Sequence, residues 1–313
     1  MASKTYTVGY TFESVTPPPA VTCSASYSSQ TRDSLAPDDG AILPSASSIT
    51  FYNTYNNKAQ MTANNNQTWT LSGYDQCKVT RIVLNMRSNG SSGEGSCNVL
   101  VNTSSIGGIA DAPFSDPTWN GAYSTAYVDI DVPVTATTVA IGGTIVIQIN
   151  CSKNSLYCQK ITVYYEAPAD ITLKQAHIIT RTIAEIASEN AWADNSIHNS
   201  FNVNSFISAS TATDTYNNAQ YVQSSQHLKI NAGKNLTFTV SKPVYLVACS
   251  FTKDSSTTVT LNGSAYSSGG NKVFDGTVST FILANTYSYP SHPDYYRYYF
   301  TSIKVCYLDD YTA

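Results

Sequence analysis

The chain has 313 residues, long for one β-sandwich and comfortable for two of roughly 140–150 residues each. Charged side chains make up 12% of it, where a globular average is about 25%. The 17 Lys and Arg against 21 Asp and Glu leave a net charge of −4, which argues against a phosphate backbone as partner. No stretch reaches the ~20 apolar residues of a membrane-spanning helix.

Tyrosine occurs 23 times and methionine 3 times, so amides and hydroxyls carry solubility while β-branched and aromatic residues carry strand propensity. The expected class is all-β: two tandem, jelly-roll-like β-sandwich domains behind an N-terminal extended arm. The boundaries expected are an arm at 1–22, a first sandwich at 23–167 and a second at 171–313.

In the arm, Thr5 to Phe12 alternates like a strand, and Pro17-Pro18-Pro19 then favours polyproline II and cannot continue a ladder. A lone strand is marginal in water, so the arm is expected to pair with a neighbouring subunit or with the body of the protein. No apolar signal run follows Met1, which fits synthesis in a cytoplasm and release by lysis. A secreted protein whose signal peptide has been removed would look the same.

From 23 to 167 strand patterns alternate with turn signals. Val79, Ile82/Leu84 and Met86 end at the turn Ser88 to Gly93, and Val99 and Val101 follow. A polar loop, Asp116-Pro117-Thr118-Trp119-Asn120-Gly121, comes next. Tyr127 to Val132 alternates strictly, and Ile145, Ile147 and Ile149 give one face of a further strand. Ile161, Val163 and Tyr165 give the last.

Ala167-Pro168-Ala169-Asp170 reads as a linker, each side of which should fold by itself. Beyond it, Ile179, Ile183 and Ile186 stand at helical spacing and predict one helix within Leu173 to Ser188. Strands resume at Leu236–Val240, Val244–Phe251 and Val259–Leu261, the last closing on Asn262-Gly263, a hairpin turn signal. Val278–Leu283 and Tyr298–Leu308 complete the second half.

The halves echo one another. Thr54–Gln60 resembles Thr215–Gln220 apart from one inserted lysine, and Ile161–Tyr165 resembles Ile303–Tyr307. Repetition favours stacking or avidity over a single catalytic cleft.

The seven cysteines are Cys23, Cys77, Cys97, Cys151, Cys158, Cys249 and Cys306. Their odd number and strand-like flanks read as free thiols in the core, with a Cys151–Cys158 hairpin bridge as the alternative. No Cys-x-x-Cys pair occurs and the four histidines are remote from the cysteines in sequence, so no metal or cofactor is implied.

Asp129 and Asp131 share one strand face and could flank a glycosidic bond or hold calcium; a solvated outer face explains them as well. No Gly-x-Ser-x-Gly elbow, His-Glu-x-x-His or phosphate-binding loop is present, and no enzyme is expected.

The aromatics are more informative. Trp119 lies in a polar loop, and Tyr287, Tyr289, Tyr295 and Tyr296 lie in the aromatic run from Tyr287 to Tyr299. Rings with polar edges bind sugar faces or protein partners at low entropic cost, so these five are the candidate ligand-binding residues. The alternative is that the rings cap the sandwich ends or pack between subunits. Trp69 and Trp192 flank strand-like runs and read as core.

The run from Thr80 to Asn89, the segment Phe114 to Gly121, Asn154 to Tyr157 and Ile161 to Tyr165 together resemble β-sandwich modules of Bacteroidales surface proteins. They also resemble fibre and decoration proteins of the tailed phages, crAss-like phages among them, that infect those gut bacteria. The resemblance implies a non-enzymatic head or tail fibre or capsid decoration in a virion, partnered by other virion subunits and copies of itself. It also implies contact with a host cell-surface glycan, but it supplies no binding residues. The alternative it leaves is a secreted or cell-surface bacterial carbohydrate-binding sandwich.

Overall fold

The computed structural model describes residues 21–31, 34–44, 49–52, 60–90, 92–119, 126–168, 171–214, 216–287 and 295–312. The expected arm strand Thr5 to Phe12, the Thr54–Ala59 part of the repeat and Tyr289 lie outside these residues, as does the Cys23 side chain.

The fold is all-β, a set of antiparallel sheets with one short α-helix among the described residues. In the first sandwich one layer runs, edge to edge, through Val128–Val132, Lys78–Ser88, Ser155–Ala167, Val21–Thr31 and Ser34–Pro37. The facing layer runs through Ile49–Tyr52, Asn65–Leu71, Ile145–Lys153, Glu94–Val101 and Ser104–Pro113. The alternating apolar residues of both layers meet in one core, in which Trp69, Ile82, Leu84, Ile130, Ile147 and Val163 are buried. Asp129 and Asp131 point the other way and are exposed, as alternation in Tyr127–Val132 requires.

The step from Val79 to Ile82 breaks the two-residue period, and pairing explains it. The register with Ser155–Ala167 shifts between Tyr164 and Tyr165, which leaves Thr80 as the extra residue of a β-bulge. The Thr80 hydroxyl donates to the Tyr164 carbonyl at 3.2 Å, so the bulge is held by its own side chain.

The second half is built on two long strands, Asn235–Lys253 and Tyr298–Asp310. Register shifts between Thr239 and Val244 and between Ser250 and Phe251 bend the ladder, as strands do where they turn a sandwich corner. The strands of this sheet bury a core of their own, which includes Phe238, Phe281, Leu283, Tyr298 and Phe300. At Asn262-Gly263 both residues have positive φ (48° and 76°), which glycine tolerates and which the hairpin between Val259–Leu261 and Ser264–Ala265 needs.

The helix expected within Leu173 to Ser188 is only its last part. Lys174–Thr182 is a strand paired residue for residue with Tyr298–Asp310, and the helix is Ile183–Glu189. The β-branched run Ile178-Ile179-Thr180 suits a strand, and the long partner edge decides the matter. Thr182 then starts the helix through a capping box: its hydroxyl accepts from Glu185 N, and the Glu185 carboxylate accepts from Thr182 N at 2.8 Å.

The two halves share contacts. Lys174 and Gln175 pair with Leu43 and Ile42, and Gly40 N and Ala176 N extend that ladder with bonds to Ala176 O and Ala41 O, each at 2.8 Å. The first core continues through Leu173 and Ala176 to Tyr245, Leu246, Cys306 and Leu308 of the second half.

Candidate functional site

The connection between Asn271–Asn285 and Tyr298–Asp310 lies against the turn that follows Asn235–Lys253. Asp254 in that turn organises the meeting. Its carboxylate accepts from Arg297 N at 2.7 Å and from the Tyr299 hydroxyl at 3.2 Å, and its own N–H donates to Arg297 O at 3.0 Å. Burial raises the Tyr299 phenol above its ordinary range, and the Asp254 charge adds to the shift. Tyr299 therefore stays a neutral donor to this carboxylate.

Asn285 anchors the same connection from the other side. Its amide donates to Tyr296 O at 2.7 Å and to Asn231 O at 3.2 Å, and its oxygen accepts from Tyr287 N at 3.2 Å. The chain of polar contacts runs on inward: Asn231 N donates to Asn218 Oδ1 at 3.0 Å, and Asn231 Nδ2 reaches Asp214 Oδ2 at 3.1 Å. Asn218, Asn231 and Asn285 are all buried. Tyr296 is held at φ 61°, a left-handed conformation unusual for a bulky residue and kept only where the surroundings determine it.

This scaffold sets the tyrosines. The rings of Tyr287 and Tyr296 lie 4.2 Å apart, centroid to centroid, tilted by 35°. Tyr295 is 56% exposed. Asp254, Ser255, Tyr295 and Tyr296 line a depression of about 530 Å³. Tyr296 thus meets Tyr287 through its ring and shares the depression with Tyr295. Tyr298, from the same run, is instead a core residue whose hydroxyl donates to Leu283 O at 3.0 Å.

Trp119 corrects the sequence reading. It is fully buried against Phe114, with ring centroids 5.3 Å apart, and presents no ring to a ligand. The polar residues around it build its turn: Asp116 accepts from Thr118 N and Oγ1 at 2.9 and 2.8 Å, a short 3₁₀ turn follows, and the indole swings inward. These bonds also hold the Asp116 carboxyl below its usual range. Asp254 and Asn285 were missed because nothing in Asp254-Ser255-Ser256-Thr257 or at the end of a strand marks them apart from ordinary turn residues.

Two further groupings bear on chemistry. Asp129 accepts from Asn85 Nδ2 at 2.6 Å and Asp131 pairs with Arg81 at 2.7 Å, so both acids are committed on the outer face. Ser196 Oγ lies 2.6 Å from His198 Nε2, a spacing suited to a nucleophile and its base. The serine hydroxyl, however, donates to Ala193 O, so the imidazole must be the donor to Ser196. That polarity is the reverse of what activation of the serine needs. His198 also stacks on Trp192 at 3.7 Å, and burial holds its imidazole below the ordinary range.

Cys77, Cys97, Cys151, Cys158, Cys249 and Cys306 are free and buried, so the Cys151–Cys158 bridge is not formed. Among the described residues no three His, Cys, Asp or Glu side chains converge, and no helix is long and apolar enough to cross a membrane.

No family model matches the chain, and no curated protein is similar to it. Among solved structures it is similar to the major capsid protein P2 from bacteriophage PM2, at 9% identity and a TM-score of 0.23 over 85% of this chain and 98% of that one. It is similar to the ANX1 ectodomain from Arabidopsis thaliana at 10% identity and a TM-score of 0.26, covering 92% and 96%. A peptide-N(4)-(N-acetyl-β-D-glucosaminyl) asparagine amidase gives 10% and 0.21, covering 93% and 97%. At such scores these likenesses carry no argument about function.

Proposed function

We propose that the chain is a non-enzymatic structural and adhesion protein of a phage virion, a head or tail fibre or a capsid decoration, that touches host glycans. Its other partners would be neighbouring virion subunits, copies of itself among them. The virion assignment rests on the resemblance carried by residues 80–165. The adhesive role rests on one observation: Tyr295 is exposed beside the Tyr287–Tyr296 ring pair, at a depression whose backbone is fixed by Asp254 and Asn285. Tyrosines on a backbone fixed in this way offer flat contact area at low conformational-entropy cost on binding.

Binding of the purified chain to host cells and to an array of their surface glycans tests the reading. Tyr295→Ala should weaken binding about tenfold or more, the effect of removing an aromatic anchor, and leave the unfolding temperature unchanged. Full retention of binding would refute the adhesive site. Absence of the protein from purified particles would refute the virion assignment.

A further inference from the structure

On the outer face of the first sandwich, Lys78–Ser88 runs between Ser155–Ala167 and Val128–Val132. Tyr157 stands directly opposite Arg87, and Tyr127 precedes Val128, whose partner is Met86, so Tyr127 flanks Arg87 from the other side. The guanidinium carbon is 4.0 Å from the centre of the Tyr157 ring and 5.3 Å from that of Tyr127. Gln60 Nε2 donates to the Tyr157 hydroxyl at 3.1 Å and fixes that ring. One row along the sheet, Gln159 Nε2 donates to Asn85 Oδ1 at 2.7 Å, and Asn85 Nδ2 donates to Asp129 Oδ1 at 2.6 Å.

The other cations of this face are neutralised. Arg81 pairs with Asp131 at 2.7 Å, and Lys160 with Asp38 at 3.0 Å. Arg87 forms no ion pair among the described residues.

We propose that Arg87 and its two tyrosines bind the carboxylate of an acidic sugar unit, of the uronic acid class, within a polysaccharide. A guanidinium covered on its faces by rings keeps its in-plane N–H edge for a planar, bidentate acceptor, which a carboxylate is. The rings hold the arginine in place beforehand, so little side-chain freedom is lost on binding. The neighbouring row of Gln159 and Asn85 lies two residues along the strand, about 7 Å away, on the order of the breadth of a sugar ring. Asp129 at the end of that row holds Asn85 through Oδ1, which leaves Oδ2 to accept a sugar hydroxyl and to repel a second carboxylate. A sugar with one acid and several hydroxyls fits this pattern, whereas an acidic peptide with closely repeated charges does not. The site is on the first sandwich and stands apart from the tyrosine connection of the second.

The test is calorimetric titration of the full chain with a mannuronate hexamer, a glucuronate-containing hexasaccharide, their methyl esters and hexaglutamate. At least one acidic sugar should bind and its ester should bind at least tenfold more weakly. Arg87→Met should lose at least tenfold, and Arg87→Lys should be weaker than the parent because it lacks the planar fork. In the unaltered protein the Arg87 Nε–H resonance should shift on saturation, a readout that does not depend on how the variants fold. Failure of both acidic sugars to bind, equal affinity for an ester, an unmoved resonance or full binding by Arg87→Met would each overturn the proposal. Equal binding of hexaglutamate would overturn the sugar and assign the face to an acidic protein.

Discussion

Truncating Asn285 to alanine tests whether the tyrosine connection is positioned by its polar scaffold or by packing. The change removes two donated bonds, to Tyr296 O at 2.7 Å and Asn231 O at 3.2 Å, and one accepted from Tyr287 N at 3.2 Å. An unsatisfied buried group costs about 1–3 kcal/mol, and water can recover part of it at the half-buried Tyr287, so the sum is about 2–4 kcal/mol. For a unit of this size each kcal/mol lowers the unfolding temperature by about 3 °C, which predicts a fall of roughly 6–12 °C. Asn285→Asp separates the causes. It keeps the acceptor for Tyr287 but points a carboxylate at two carbonyl oxygens, so near neutral pH it should be no better than alanine. Its carboxyl would be raised above the unfolded value, so stability should return as the pH falls and the protonated group donates again. Scanning calorimetry and near-ultraviolet circular dichroism read both effects. An Asn285→Ala protein within about 0.5 kcal/mol of the parent, the range of an ordinary surface change, would refute the reasoning.

Burial pushes the Cys97 and Cys158 thiols up to about 12, so native protein at pH 8 should resist a thiol reagent that reacts through the thiolate, while denatured, non-reduced protein should show at least six free thiols. Labelling of the native protein as fast as free cysteine would contradict this. His198 is held below the ordinary imidazole range of about 6.5. The unfolded chain therefore takes up this proton first as the pH falls, and the contribution of neutral His198 is present above that range and lost below it. A proton resonance titration should give His198 an apparent value under 6.5 that rises when Trp192→Ala uncovers the ring, and a value above 6.5 in the parent would be inconsistent with this packing.

Much of the strand pattern was legible from alternation, because one face of each strand meets a core. Ile145, Ile147 and Ile149 are buried, and Asp129 and Asp131 flank a buried Ile130. Alternation says nothing of a residue inserted at Thr80, whose bulge is a property of the pair of strands. Nor does helical spacing reveal that Lys174–Thr182 faces a long open edge, since the partner strand lies over a hundred residues away in sequence. At the candidate site, composition singled out Tyr287, Tyr295 and Tyr296, of which the rings of Tyr287 and Tyr296 meet in the fold. It misplaced Trp119, because local polarity was read as exposure when Asp116 and Thr118 spend their polarity on closing the turn. Asp254 and Asn285 were illegible for the opposite reason, as single polar residues whose partners are brought in by the fold.

The ladder between Ile42-Leu43 and Lys174-Gln175, with the apolar cluster reaching from Leu43 to Leu308, has a mechanical consequence. A protease cut at Pro168 would sever the peptide link while leaving this seam intact, so the two fragments should travel together through a sizing column. A pull applied at the tyrosine connection would be transmitted along Tyr298–Asp310 to Lys174–Thr182 and across the seam to Ile42. Load between the two halves would then be borne through these paired strands.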